Sequence, residues 1–238
     1  MLFGLGSGLS ESRWFSKHEA HHRAPNHVGH DPDVDIPFVF SHEHALSRSP
    51  FYQKYVFPYQ HMLFWMGIWF VYPRNVFSSM KYLFVHINLR SVIEVILMTI
   101  HFVILFGFIF WFLPPITALG FITVLFLVMG MYMAIVFAAN HKGEKMIGPT
   151  ELYNWTYQIS LTRNITPSTF VSFIFGGLEY QIEHHLFPSV SRFKYGRAQV
   201  LVKQFCHEKG IRYHETSWLK SMREIHVSLQ EEAQKWRT

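Results

Sequence analysis

The chain has 238 residues, of which 50% are apolar and 18% aromatic but only 16% charged, where a soluble domain usually carries about a quarter. That deficit excludes an ordinary solvated globule and leaves a membrane protein or one with an outsized core. The net charge of +5 does not point to nucleic acid, because the basic residues flank apolar segments instead of forming a stripe, and the single cysteine, Cys206, excludes an intramolecular disulfide framework and a cysteine-built metal site.

Histidine is the unusual component, with 16 residues, and it is the commonest metal ligand as well as a proton-transfer residue. Residues 1–9 (MLFGLGSGL) are apolar and small, too short to span a bilayer and without the basic flank of a signal peptide. They read as the cytoplasmic end of a helix whose beginning is missing. A helix is predicted over Ser10–His22, with Ser10 as its cap. On it His18, His21 and His22 fall at i, i+3 and i+4, about 5–6 Å apart at Cβ on one face. Either three imidazoles converge there on one or two metals, or a polar face simply carries histidine. Asn26–Asp35 is a loop by its Gly, Pro and Asp content. Its His27 and His30, with His42, His44 and His61 further on, read as solvent-exposed or close to substrate.

Gln60–Tyr72 is apolar and rich in Trp and Phe but too short to span, so an interfacial or re-entrant helix is expected. Val92–Leu113 and Ile116–Ala139 are each long enough to cross a bilayer, and Pro114-Pro115 between them cannot continue a helix interior. The reading is a transmembrane hairpin. Arg74, Lys81 and Arg90 precede it and Lys142, Lys145, Arg163, Arg192, Lys194 and Arg197 follow, while the turn has no basic residue. Both flanks are therefore assigned to the cytoplasm. Glu94 and His101, inside the first span, are assigned to interhelical hydrogen bonding. Asn140-His141, at the mouth of the second span, supplies either a further nitrogen ligand with a water-holding amide or a helix-end cap.

Phe170–Leu178 is an apolar patch ending in a glycine pair. Gln181-Ile182-Glu183-His184-His185 then repeats the first cluster's spacing with Gln in the leading place. Its amide suits orienting a ligand or a water, and helical geometry turns Glu183 away from His184. The tail from Ser217 reads as a polar helix with Glu231, Glu232 and Lys235 on its surface. Two clusters of equal spacing, one on each side of a hairpin that starts and ends on the same side, are expected to meet. So many imidazoles exceed the four ligands of a structural zinc and point to two metal ions. The paired Glu-x-x-His ligands of soluble di-iron bundles are absent.

Lys17–His22 (KHEAHH), followed by Ala24-Pro25-Asn26 and Asp31-Pro32-Asp33, resembles the second histidine box of membrane acyl-lipid or acyl-CoA desaturases. Gly176–Pro188 (GGLEYQIEHHLFP) resembles the third box of the front-end subgroup, and Tyr213-His214-Glu215-Thr216 the segment shortly after it. The resemblance covers nearly the whole chain. It implies an all-α integral membrane desaturase domain over residues 1–238, with spans at 92–113 and 116–139, interfacial helices, and a cytoplasmic His-rich di-iron cap that includes 140–238. It implies two iron ions held by His18, His21, His22, His184 and His185, with His141 a further ligand and Gln181 a weak ligand or a support behind the ligands. It also implies O2 as co-substrate, an acyl-CoA or acyl-lipid chain as substrate, and a separate electron donor, a cytochrome or ferredoxin with its reductase, since no His-Pro-Gly-Gly haem motif is present. The family's first box, of the type His-Asp/Glu-x-x-His ahead of the second, does not precede Ser16, and two upstream spans are absent with it. The chain therefore reads as N-terminally truncated, either part of a longer product or a copy without catalysis. A membrane hydroxylase on the same ligands is the other enzymatic reading.

Overall fold

The structure is a computed structural model that describes residues 2–34 and 36–237, the side chains of His42 and Glu43 excepted. The end of the expected 26–35 loop, the side chain of His42 and the last residue of the tail lie outside the described residues. Thirteen α-helices run in chain order among the described residues: α1 (Leu2–Ser7), α2 (Glu11–Arg23), α3 (His42–Leu46), α4 (Pro50–Tyr55), α5 (Gln60–Gly67), α6 (Val71–Val85), α7 (Leu89–Phe112), α8 (Pro115–His141), α9 (Tyr157–Ser160), α10 (Thr169–Phe175), α11 (Gln181–Leu186), α12 (Tyr195–Lys209) and α13 (Trp218–Gln234). The all-α expectation misses one detail. A two-residue strand, β1 (Asn164–Ile165), pairs in parallel with β2 (Glu215–Thr216). Two residues per strand are too few to show the period-2 pattern by which a strand is read from sequence.

The chain divides into two compact units. The first comprises the residues up to Glu19 and Met66–Ala134. Its α7 and the greater part of α8 are long and apolar enough to cross a membrane, and only 17% and 11% of their most apolar stretches are buried within the protein. The side chain of Asn88 accepts from the Ser91 N–H and starts α7 three residues before the expected boundary. Pro115 opens α8, where its missing N–H costs nothing and its fixed φ suits a helix start. Polar groups inside this unit are paired. Glu94 accepts from the Ser10 hydroxyl (2.6 Å), from the Ser12 N–H (3.2 Å), from the Ser12 hydroxyl and from Arg90 (3.3 Å). His101 Nδ1 donates to the Leu5 carbonyl (2.8 Å). Both residues thus bond to other helices and their flanks, as read from the sequence. Ser10 accepts from the Arg13 N–H (3.1 Å) and so caps α2 as expected. Gly130 is required on α8, because a Cβ there would run into the Trp69 carbonyl. The segment expected to be one short interfacial helix, Gln60–Tyr72, instead continues through a 3-10 turn at Ile68–Phe70 into α6. Pro73 is tolerated because it lies in the first turn of α6, where no intrahelical N–H bond is lost.

The second unit comprises Ala20–Trp65 and the residues from Ile135 onward. One core packs Val136 and Ala139 of α8 with Ile165, Val171 and Phe175. Another joins Ile159, Ile182, Val202 and the buried Cys206. Gly176 and Gly177 have φ of 61° and 107°. They end α10 in the left-handed region and turn the chain toward α11, which explains the glycine pair. Arg163, counted from sequence as part of a basic flank, is fully buried. Its Nε donates to the Ala139 carbonyl (2.6 Å), its Nη2 to the Lys142 carbonyl, and its Nη1 to Glu224 (2.8 Å) and Glu144 (3.3 Å). A helix leaves its last carbonyls without intrahelical partners, and Arg163 supplies them at the end of α8. Glu232, expected on the surface of the tail helix, is also buried, with Lys235 as its ion-pair partner (2.6 Å).

Candidate metal centre

Helical spacing puts His18, His21 and His22 on α2, and Gln181, His184 and His185 on α11. His18 lies one turn before His22 and stacks on Trp14, with ring centroids 4.9 Å apart. Within the second unit the two clusters meet. Nε2 of His22 is 3.1 Å from Nε2 of His184, and the His22 and His185 rings stack at 4.3 Å. His141, the last residue of α8, joins them. Its Nε2 is 3.3 Å from Nε2 of His21, and its ring centroid is 4.8 Å from that of His185. His21, His141 and His185 are all buried, and each offers a nitrogen within 4.8 Å of the others. Two nitrogens each about 2.1 Å from one metal at near-right angles are separated by about 3 Å, which is the spacing of these pairs.

The hydrogen-bond polarity around the rings sharpens this fit. A backbone carbonyl only accepts, so the Asn140 amide points its NH2 end at the Leu178 carbonyl (2.9 Å). The same NH2 reaches Oε1 of Gln181 (3.1 Å), which turns the Gln181 NH2 toward His141 Nε2 (2.8 Å). His141 Nε2 is therefore an acceptor and carries its lone pair. The Asp31 carboxylate lies 2.9 Å from His21 Nδ1 and makes that nitrogen a donor. In the neutral imidazole the other nitrogen, His21 Nε2, then carries a lone pair too. In this structure the His141 lone pair is met by the Gln181 N–H, and the same nitrogen stands 3.3 Å from His21 Nε2, so a metal held by both rings would take the place of that N–H. His185 Nε2 is buried with no hydrogen-bond partner. Burial first, then the neighbouring His141, His21, His22 and His184, hold His185 well below the usual histidine range, in the neutral form that ligates metals.

The supports of α11 are equally specific. Glu183 turns away from the cluster, as expected, and accepts from Asn164 (2.7 Å) and the Tyr213 hydroxyl (2.9 Å). The Ile182 N–H donates to Asn164 Oδ1 (2.8 Å). Burial raises the Glu183 carboxyl above the ordinary range, opposed by the hydrogen bonds from Asn164 and Tyr213. Asn26, at φ 56°, holds its amide within reach of the carbonyls of His141, Lys145 and Leu161 (3.0–3.3 Å). That accounts for asparagine in the Ala24-Pro25-Asn26 segment, since it tolerates the left-handed region and ties the turn after α2 to the end of α8. Of the remaining histidines, the structure removes solvent exposure for three. His30 is exposed, but His27, His44 and His61 are buried. Loop composition does not reveal which loop residues fold inward. Sequence reasoning also missed Gln158 and Tyr195, whose side chains meet Nδ1 of His185 (2.9 Å) and of His184 (3.1 Å). Neither belongs to a histidine box, and no local pattern marks them.

Comparison with known proteins places this site in a family. The fatty acid desaturase family profile matches residues 1–217. A Delta(5) fatty acid desaturase of Caenorhabditis elegans is 29% identical over 87% of this chain and 49% of its own length. A Delta(8)-fatty-acid desaturase of Euglena gracilis is 31% identical over 90% of this chain and 54% of its own. A fatty acid desaturase 2-like protein of Mus musculus is 30% identical over 96% and 47%. The chain thus spans about half the length of the curated relatives it matches. No solved structure matches it. With the profile covering both histidine clusters, the chain belongs to the fatty acid desaturase family.

Proposed function

We propose that the protein takes part in O2-dependent desaturation of a fatty acyl chain, of the front-end type, as an integral membrane protein with its histidine boxes on the cytoplasmic side. The observation that carries this reading is the buried convergence of His21, His141 and His185, with His22 and His184 facing each other beside them. His18, His21, His22, His141, His184 and His185 are the residues that would hold two iron ions, and the Gln181 amide stands beside them, on the Nε2 of His141 that faces His21. Iron bound there would supply O2 activation and the oxidising power to remove hydrogens from an unactivated methylene, with electrons from a cytochrome or ferredoxin. The protein's part is to aim the imidazoles and to bury His21, His141 and His185 away from water. The apolar faces of α7 and α8, with Trp111, Ile116 and Leu89 more than three-quarters exposed, are covered by lipid in this reading. The substrate is an acyl-CoA or an acyl-lipid.

Expression in a host fed polyunsaturated fatty acids tests the assignment. Gas chromatography of the extracted acyl chains should show a new double bond on the carboxyl side of an existing one, lost with His184→Ala or His185→Ala. Hydroxylated products would instead assign oxygen insertion, and unchanged acyl composition would contradict catalysis by this chain.

A further inference from the structure

We infer that Asp31, in the stretch that follows the second-box histidines, and Gln158, outside both boxes, are positioning residues that fix Nε2 as the metal-facing nitrogen of His21 and His185. The inference rests on the metal-site reading above and assigns two residues to it.

Asp31 is 3% exposed. Its Oδ2 accepts from His21 Nδ1 (2.9 Å) and from the Asn26 N–H (2.8 Å), and its Oδ1 from the Asp33 N–H (2.8 Å). Two backbone donors thus clamp the carboxylate, and the loop after α2 is shaped to aim it at one ring nitrogen. A carboxylate has no proton to give, so His21 Nδ1 must donate. Gln158 reaches the same result by a different route. Its NH2 donates to the His22 carbonyl (2.6 Å), an acceptor only, which fixes the amide. Its carbonyl end therefore faces His185 Nδ1 (2.9 Å), which must also donate. Gln158 holds a third-box ring through one end and the second-box backbone through the other. Both imidazoles are left with the lone pair on Nε2, the nitrogen that faces the cluster in His21 and stands buried and unpartnered in His185. A carboxylate behind one ring and a neutral amide behind the other also make the two ligands unequal in basicity.

The test uses the purified protein in detergent, with Co2+ as the probe. Asp31→Asn, which keeps shape but loses charge and one acceptor, and Gln158→Leu should each weaken Co2+ binding by about 10- to 100-fold, with helix content by circular dichroism unchanged. Asp31→Glu should recover part of the loss. Independently of any metal, 15N NMR of the metal-free protein should show the Nδ1–H tautomer at His21 and His185, assigned by loss of each signal in H21Q and H185Q. An Nε2–H tautomer at both rings, or parent-like Co2+ affinity in both variants, would overturn the inference. A parent protein that binds no Co2+ would instead sink the metal-site reading, and the tautomer measurement, which needs neither metal nor a Asp31 or Gln158 variant, would still decide what these two side chains do to the rings.

Discussion

Arg163 shows how far one side chain reaches. It closes the carbonyl end of α8 and pairs with Glu144, itself buried. Glu144 keeps Arg212 (2.8 Å) and His214 when Arg163 is removed, so the loss falls on the buried helix-end carbonyls, at about 1–3 kcal/mol for an unsatisfied buried acceptor. Arg163→Met should destabilise the protein by that amount in denaturant titration. Arg163→Lys should recover little, because an ammonium lacks the planar fork that reaches several acceptors at once. A change within about 0.5 kcal/mol would mean that the carbonyls find other partners. His61 gives a pH signature. Burial first, then Arg237 and His226, lower its protonation below the ordinary 6.5. A histidine depressed in the fold binds its proton more readily when unfolded, so its contribution is present above pH 6.5 and is lost as pH falls through the folded value. Thermal stability should decline from pH 7 to 5.5, and less so in His61→Gln, which keeps an acceptor for Arg237. Parallel profiles would remove His61 from the account. The box histidines were legible in the sequence because i, i+3, i+4 spacing is a local consequence of the helix period. Asp31, Gln158 and Arg163 were not legible in these roles. Their partners are set by tertiary approach, and an arginine in a basic stretch looks the same whether it points to solvent or into a core.

At the scale of elements, the two apolar helices and the Pro114-Pro115 break could be read directly, since length, composition and the missing proline N–H are local facts. The continuation from α5 into α6 could not, because Pro73 reads as a stop until its place in a first turn is known. The six-residue α11 is too short to be stable alone. It stands because Asn164 and Tyr213 hold Glu183 and the Ile182 N–H, which ties the segment around Tyr213 to the third box. Close approach of α8 to the Ile68–Phe70 turn makes Gly130 the most sensitive small residue there. Gly130→Val should cost about 1–3 kcal/mol through overpacking, read as a lowered unfolding midpoint. An unchanged midpoint would show that the turn yields without strain.

For the whole molecule, the family follows from the profile match, whereas double-bond position does not, since relatives of similar identity are named for different positions. That choice depends on the shape of the space that receives the acyl chain, which short motifs do not encode. The central claim is that the two histidine boxes with His141 form one metal centre. Iron content of the protein purified from iron-supplied cells tests it most directly, compared with His141→Ala and His185→Ala. The account predicts about two irons per chain, as in other di-iron centres, and a clear loss in both variants. Iron-free protein, or iron retained in full when both histidines are removed, would contradict it.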